Sequence, residues 1–349
     1  MVATAHSTIG NRSMKPLTLI EIARLAGVSR TTASYVINGK AKTHRISEAT
    51  VEKVMAVVDA HGYRIDIQAA ALRRGVTRTL GFVVPDLANA SYARLAKQLE
   101  LGARRAGYQL LIGGTNDEPD TERELALSLR ARRCDALITA SCLSEDDGFY
   151  AELMAEGMPV IGVDRPLDPE RFACVVGDDC EGARTLTLRT VDEAVDKVVW
   201  LDAVAQISIS RARRRGFDTA MESLDASVVR ISATHYDCAS GSAAITELLE
   251  RDGLPDALIT ASYTLLEGAL EALTTRYGSL FDPRLSALRL ATFGDDRLLD
   301  FLPQRVESLR QRYDQIAALT LEHALGALDG RYRPGHWVVP RSHRSHHHR

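Results

Sequence analysis

Long apolar runs, signal peptides and paired cysteines are all missing from this sequence of 349 residues. No stretch approaches the roughly 18 apolar residues that a membrane span needs, and residues 1–16 lack the apolar segment of a signal peptide. We therefore predict a cytoplasmic protein with a disordered leader over residues 1–16, with Met14 as an alternative start. The scattered cysteines are odd in number, have no metal-site spacing and indicate reduced thiols: Cys134, Cys142, Cys174, Cys180 and Cys238.

Signatures of catalysis and cofactor binding are absent as well. No Walker loop occurs, no Gly-x-Gly-x-x-Gly follows a predicted strand, and no nucleophile–base pair has a recognisable spacing. The Arg/His-rich tail at 341–349 is a candidate for metal binding, but a terminal histidine cluster is more often disordered. We expect a disordered tail, no cofactor, no metal and no enzyme activity.

Charge is unevenly distributed, although the net charge is only −3. Residues 1–80 contain 12 Lys/Arg against 5 Asp/Glu, whereas the remainder contains 31 against 41. The chain is too long for one compact domain, and its 45% apolar content is enough for a sizeable core. A basic head on an acidic body indicates a small DNA-binding domain attached to a larger one.

Residues 18–38 predict two short helices with an abrupt turn between them. Thr18 and Glu21 have the spacing of a capping box, Gly27 can end the first helix, and Ser29 can cap the second. Such a helix-turn-helix places its second helix in the DNA major groove. The alternative is an ordinary helical hairpin in a core. A third helix, preceded by Ser47, would complete a headpiece spanning residues 17–64.

The outward face of the second helix favours DNA binding over a core hairpin, because its side chains can all form hydrogen bonds. Ala33, Val36 and Ile37 face inward. Short hydroxyls near a helix start suit phosphate oxygens, and arginine and tyrosine can reach base edges. The predicted DNA contacts are Ser29, Arg30, Thr31, Thr32, Ser34, Tyr35 and Asn38. Of these, we expect Arg30, Thr31 and Tyr35 to read bases.

Residues 65–78 predict a hinge helix and linker. Asp66 can cap a short helix, Ala69 keeps one face slim, and Leu72 has no obvious core to enter. We expect this helix to bind the minor groove with Leu72 wedged into a base step. A plain linker with a buried leucine is the alternative.

From residue 79 to 340 the apolar runs are continuous rather than alternating, which is typical of parallel strands buried on both faces. Helix-length amphipathic stretches separate them. This pattern predicts an α/β core of two doubly wound parallel-sheet subdomains, one spanning 79–177 with about 308–335 and the other 178–307.

Ligands bind such sheets outside the carboxyl ends of the strands. Polar side chains just after the predicted strands are therefore the candidates for effector binding. Arg213 lies in an arginine run after one strand, and the alternative for it is a solvated surface cluster. The candidates are Ser91, Tyr92, Asp164, Arg165, Arg213, Ser262 and Asp295.

Together these residues resemble the lactose-repressor/galactose-repressor family of transcription regulators over about residues 17–340. The resemblance rests on residues 22–29 and 34–38, Gly62-Tyr63, the Ala/Leu hinge, Gly81 with Pro85-Asp86, Asp164-Arg165 and Arg213-x-x-Gly216-Phe217. It implies a homodimer on a pseudo-palindromic operator and a periplasmic-binding-protein-like core that senses a small molecule. No C-terminal leucine heptad is evident, so we expect a dimer and leave a tetramer open.

Within the family, residues 30–42 are similar to the fructose-repressor branch, which implies fructose 1-phosphate as the effector. Three places depart from the family pattern, one of them Ser262-Tyr263, where the family usually has Asn-Asp. The hinge begins Ile65-Asp66 rather than Pro-Asn, and the usual sugar-contacting aspartate falls on Gly294, which leaves Asp295 as its substitute. The resulting prediction is a sequence-specific DNA-binding regulator of sugar metabolism, released from its operator by a sugar phosphate. The alternatives are a sugar-phosphate enzyme or an extracytoplasmic sugar-binding protein on the same α/β core.

Overall fold

The computed structural model describes residues 17–63, 76–144 and 147–346. These residues belong to two compact units that divide between Thr77 and Arg78. The predicted hinge helix, with Ala69 and Leu72, lies outside the described residues. Within the described ranges, every helix is too short or too polar to span a lipid bilayer.

The first unit contains the three predicted helices of the headpiece: α1 (Leu19–Leu25), α2 (Arg30–Ile37) and α3 (Glu48–Ala60). Thr18 and Glu21 form the capping box, and the Ser29 hydroxyl accepts a hydrogen bond from the Thr32 amide at 3.0 Å. Gly27 has a φ of +65°, as the tight turn between α1 and α2 requires. The helix-turn-helix prediction is confirmed.

A small apolar core holds the three helices together. Ile22 and Val54 are fully buried, and Ala33 and Val36 of α2 pack against them. Since these residues turn one side of α2 inward, the polar residues between them are left on its outer side.

The second unit is an α/β structure. Its strands are β1 (Thr79–Val84), β2 (Gln109–Gly114), β3 (Ala136–Thr139), β4 (Val160–Asp164), β5 (Ala173–Gly177), β6 (Lys197–Ala203), β7 (Ser227–Ala233), β8 (Ala257–Thr260), β9 (Arg289–Phe293), β10 (Arg305–Arg310), β11 (Gly335–Val339) and β12 (Ser342–His346). Its helices are α4 (Ala90–Arg105), α5 (Pro119–Ala131), α6 (Phe149–Ala155), α7 (Asp179–Thr190), α8 (Ser208–Met221), α9 (Cys238–Arg251), α10 (Tyr263–Tyr277) and α11 (Tyr313–Leu328).

The strands form two six-stranded sheets. The first has the order β11-β5-β4-β3-β1-β2 and is parallel throughout, and the second has the order β12-β10-β9-β8-β6-β7 with only β12 antiparallel. Each sheet has an apolar core on both faces, which confirms the prediction of two doubly wound subdomains.

The connections between the subdomains differ from the prediction in two ways. First, β10 belongs to the second sheet, so the chain returns to the first subdomain after Arg310 rather than near residue 308. Second, the tail expected to be disordered from 341 contains β12, which pairs with β10. This strand has no apolar residue, and its place in the sheet depends on carboxylates far away in the sequence. The chain therefore crosses between the subdomains at Asp178, at Gln311 and at Arg341.

Candidate functional site

The DNA contacts predicted for the headpiece belong to α2 and to the residues that cap its two ends. Ser29, Arg30, Thr31 and Asn38 are exposed, and Thr32, Ser34 and Tyr35 are half-buried. At each end of the helix, polar side chains form local hydrogen bonds. The Ser29 and Thr32 hydroxyls lie 2.8 Å apart, and Asn38 Nδ2 donates to the Ser34 carbonyl at 2.7 Å. Among the described residues, Arg30 has no hydrogen-bond partner and is open to a ligand.

Tyr35 has a neighbour that the sequence does not reveal. Its ring stacks on that of His44, with centroids 3.5 Å apart and planes inclined by 6°. The basic loop after α2 folds back to bring His44 there, since the Lys40 amide donates to the Tyr35 carbonyl at 2.8 Å. One face of Tyr35 is therefore covered.

A cavity of about 310 Å³ lies within the second unit, between the carboxyl edges of the two sheets. Six of the seven predicted effector residues line it: Ser91, Tyr92, Asp164, Arg165, Arg213 and Ser262. The further lining residues are Pro85, Asp86, Asn89, Leu95, Asn116, Asp117, Glu118, Ile209, His235, Tyr236, Asp237, Tyr263, Phe293, Gly294, Gln311 and Arg341.

Asp164 is the acidic centre of the wall formed by the first subdomain. It ends β4 with a φ of +64°, which aspartate tolerates better than most residues. Its carboxylate accepts hydrogen bonds from the Tyr92 hydroxyl and from Gln311 Nε2, each at 2.9 Å. Burial alone would raise the pKa of Asp164, but Arg213 and Arg341 outweigh it and hold that pKa below its ordinary value. The carboxylate is thus ionised and can accept hydrogen bonds from ligand hydroxyls.

Arg165 lies beside it but already has a carboxylate partner. Both terminal nitrogens of the buried guanidinium donate to Asp117, the second at 3.2 Å, while Nε is buried without a partner. Burial would lower the pKa of Arg165, but Asp117 and its other neighbours raise it. Because both terminal nitrogens of Arg165 already donate to Asp117, it has fewer donors left for an anion than the sequence suggests.

The opposite wall contains two arginines, each paired with an aspartate. The buried Arg213 donates from Nε to Asp179 at 2.7 Å and from Nη1 to the Ala261 carbonyl at 2.6 Å. Its guanidinium carbon lies 4.3 Å from the centroid of the Phe293 ring. Arg213 is therefore fixed in the cleft, and the alternative of a solvated surface cluster is wrong.

Arg341 contacts the same ring, 5.2 Å from its centroid. Nη1 donates to Asp178 at 3.3 Å, and Nη2 lies 3.0 Å from Asp179 as an ion pair. That ion pair is not aligned as a hydrogen bond, so Nη2 is a buried donor without an acceptor. Two arginines and one unused donor thus converge on Phe293, which is a suitable arrangement for an oxyanion.

Asp295 does not line the cavity, and its predicted role there is wrong. Gly294, with a φ of +97°, turns the chain, and the Asp295 carboxylate accepts from Ser308 at 3.0 Å and contacts His346 at 3.1 Å. Its partners belong to β10 and β12. Gly294 is the residue of this turn that reaches the cleft.

Several cleft residues escaped the sequence analysis. Asp117 follows β2, and the strand-end rule that selected Ser91 would have found it. His235 and Tyr236 follow β7, which has polar residues and no continuous apolar run. Arg341 belongs to the segment taken for a disordered tail. Among the described residues, no group of three or more His, Cys, Asp or Glu is arranged to hold a metal ion.

Two protein-family models match the chain. One, described as periplasmic binding proteins and sugar binding domain of LacI family, covers residues 77–278. The other, described as bacterial regulatory proteins, lacI family, covers residues 18–66. The boundary between the two matches falls near the boundary between the two structural units.

Two curated proteins are similar over nearly their whole length. The fructose operon regulatory protein of Vibrio cholerae serotype O1 is 46% identical over 326 residues, 93% of this chain and 98% of that protein. The catabolite repressor/activator of Escherichia coli strain K12 is 43% identical over 316 residues, 90% of this chain and 93% of that protein.

Solved structures match as well. The Cra transcriptional dual regulator from Pseudomonas putida, in complex with fructose 1-phosphate, is 46% identical with a TM-score of 0.73, over 76% of this chain and 98% of that one. The lac repressor dimer bound to operator and the anti-inducer ONPF is 19% identical with a TM-score of 0.80, over 94% and 98%. At that identity the lac repressor supports the fold alone.

Proposed function

Because this chain belongs to the LacI family of bacterial regulatory proteins, we propose that it binds a pseudo-palindromic operator as a homodimer and leaves it when fructose 1-phosphate fills the cleft. It is a DNA-binding transcription regulator of sugar metabolism and not an enzyme. It acts in the cytoplasm. The Pseudomonas putida relative in complex with fructose 1-phosphate supports the choice of effector.

The exposed side of α2 reads the operator. Arg30, Thr31 and Tyr35 contact base edges, and the hydroxyl and amide groups at the ends of α2 contact phosphates: Ser29, Thr32, Ser34 and Asn38. We propose that the segment predicted as a hinge helix, with Ala69 and Leu72, which lies outside the described residues, contacts the minor groove between the two half-sites. Supporting this assignment are the exposure of Arg30 and its lack of a partner among the described residues.

The observation that carries the effector assignment is the pair Arg213 and Arg341 over Phe293. Their partners Asp178 and Asp179 balance the two charges, although the ion pair between Arg341 Nη2 and Asp179 at 3.0 Å is not aligned as a hydrogen bond. A phosphate group in the cleft would accept from the terminal nitrogen of Arg213 that does not donate to Ala261, and would lie beside the Arg341 guanidinium. Its fit depends on fixed guanidinium geometry, which lysine cannot supply.

The opposite wall suits the sugar. The ionised Asp164 accepts from hydroxyls, and Gln311 and Tyr92 fix its orientation. Asp117 and Arg165 present a balanced pair to the remaining hydroxyls. The phosphate end and the hydroxyl end belong to different subdomains, so one ligand bridges both. Binding thereby favours one arrangement of the subdomains. The effector can release the operator only to the extent that it binds the DNA-free arrangement more tightly than the DNA-bound one.

The test is calorimetry with fructose 1-phosphate, fructose 1,6-bisphosphate and unphosphorylated fructose. We expect fructose 1-phosphate to bind and fructose to fail. Arg213→Lys should lose about tenfold or more in affinity, because charge-assisted hydrogen bonds are worth about 1.5–3 kcal/mol. Arg215→Lys, at an exposed position of the same helix, is the matched control and should bind normally. Normal binding by Arg213→Lys would show that the phosphate lies elsewhere.

A further inference from the structure

The C-terminal strand β12 completes the second sheet at its edge. It runs antiparallel to β10, with His346 opposite Val306 and Ser342 opposite Arg310. Arg341 immediately precedes β12, and β10 leads directly to Gln311. The two strands therefore approach the cleft side by side.

Side-chain contacts to distant carboxylates hold β12 in addition to its backbone pairing with β10. The buried His346 contacts Asp300 through Nδ1 at 2.7 Å and Asp295 through Nε2 at 3.1 Å. Arg344 donates twice to Asp300, at 2.9 and 2.7 Å. Asp300 and Asp295 belong to the segment after β9, so this segment and β12 are joined around one imidazole.

A second anchor lies on the other side of the strand. Glu307 of β10 is buried and contacts His343 Nε2 at 2.6 Å. The Ser345 hydroxyl donates to the same carboxylate at 2.6 Å. Residues 343 to 346 are thus fixed one after another.

The position of Arg341 depends on this anchoring. Apart from its own guanidinium contacts, it is held by a backbone hydrogen bond from its amide to Asp178 at 3.0 Å and, on its N-terminal side, by β11, whose Val339 pairs with Gly177. Beyond that bond the chain continues directly into β12. An undocked β12 would leave the Arg341 backbone held only by β11 and by the hydrogen bond to Asp178, with nothing to hold it on its C-terminal side.

From these contacts we propose that β12 is the positioning element of the anion site, and that docking of the C-terminal strand and effector binding are energetically coupled. This inference rests on the proposed function and assigns a task to a segment outside the cavity. Residues 343–346 do not line the cavity, and in this proposal they act on the effector only through Arg341.

The first test removes the strand and keeps the arginine. A chain ending at Arg341 should lose about tenfold in affinity for fructose 1-phosphate, as Arg341→Met should, because both lose charge-assisted contacts to the phosphate. Its affinity for operator without effector should stay unchanged. A chain ending at His346 keeps β12 and is the matched control, with normal effector affinity. Normal effector binding by the chain ending at Arg341 would overturn the inference.

The second test separates positioning from general stability. His346→Ala should weaken effector binding in the unaltered chain but cause no further loss in an Arg341→Met background, since coupled residues are not additive. Equal losses in both backgrounds would contradict positioning. His346→Gln, which can still donate to Asp295, should restore part of the affinity, and thermal denaturation confirms that each variant is folded.

The outcomes also separate this inference from the proposed function. If the unaltered chain fails to bind fructose 1-phosphate, the effector assignment is wrong. If the unaltered chain binds it and Arg341→Met does not, while loss of β12 has no effect, only the positioning role is wrong.

Discussion

Arg213 lies where the sequence predicted an anion contact, on the helix that follows the β6 strand. Residue type and strand-end position sufficed for that prediction. Its hydrogen-bond partners could not be predicted from the sequence, because Asp179 and Ala261 are 34 and 48 positions away. The same limit applies to Arg165, whose partner Asp117 is 48 positions away and alters its role. Single residues could therefore be located from the sequence, but their effective charge could not.

Gly177 tests the arginine site without removing a charge. A Cβ at this position would lie 2.2 Å from Nη1 of Arg341 and 2.5 Å from its Cζ. Since the clash involves the end of a flexible side chain, Gly177→Ala should fold but displace Arg341. We expect about tenfold weaker binding of fructose 1-phosphate by calorimetry, from the lost charge-assisted contacts.

Gly148→Ala is the matched control, because a Cβ there meets nothing within 4 Å. It should leave effector binding unchanged. Normal affinity in Gly177→Ala would mean that Arg341 is not needed where the structure places it.

The pH dependence of effector binding follows from the charges in the cleft. A phosphate monoester loses its second charge below about pH 6. Asp164, with a pKa below the ordinary 3.8, stays ionised in that range. Affinity for fructose 1-phosphate should therefore fall as the pH is lowered from about 7.5 to 5.5, with the protonation of the ligand itself. An affinity that is flat to pH 5 and falls only near the ordinary pKa of aspartate would assign the titration to the carboxylate.

At the scale of elements, apolar patterning predicted most of the strands and failed at the polar ones. β1, β3, β6, β8 and β9 are continuous apolar runs and were found. β10 contains the buried Glu307 and Ser308, and β12 has no apolar residue, so periodicity gives no signal for either. Those two strands pair with each other and are stabilised by buried ion pairs, which depend on the tertiary structure.

For α2, the sequence predicted both the capping residue Ser29 and the side of the helix that is left outward. Arg30→Ala should change the preferred operator sequence and cost about 1–3 kcal/mol, since a base contact is lost. Selection from random duplexes followed by anisotropy would measure both effects. Lys42→Ala in the basic loop is the control. It should weaken binding to all DNA sequences alike and reduce the slope of log binding constant against log salt concentration by about 1. An unchanged consensus for Arg30→Ala would refute the assignment of base reading.

At the scale of the whole molecule, the sequence predicted a basic headpiece and an acidic two-subdomain core, and both are present. The third crossing of the chain, at Arg341, was missed, although it delivers a cation to the cleft. The cavity is lined by residues from both subdomains and from two of the three crossings, Gln311 and Arg341. A ligand in this cavity would contact both subdomains, as the proposed mechanism of release requires.

The most direct measurement is anisotropy of a labelled operator during titration with fructose 1-phosphate. The unaltered chain should release the operator, whereas Arg213→Met and Arg341→Met should bind it with normal affinity and retain it at effector concentrations that empty the unaltered chain. Unphosphorylated fructose should have no effect on any of the three. Release of both variants at the same concentration as the unaltered chain, or no release of the unaltered chain, would contradict an arginine-anchored phosphate as the signal.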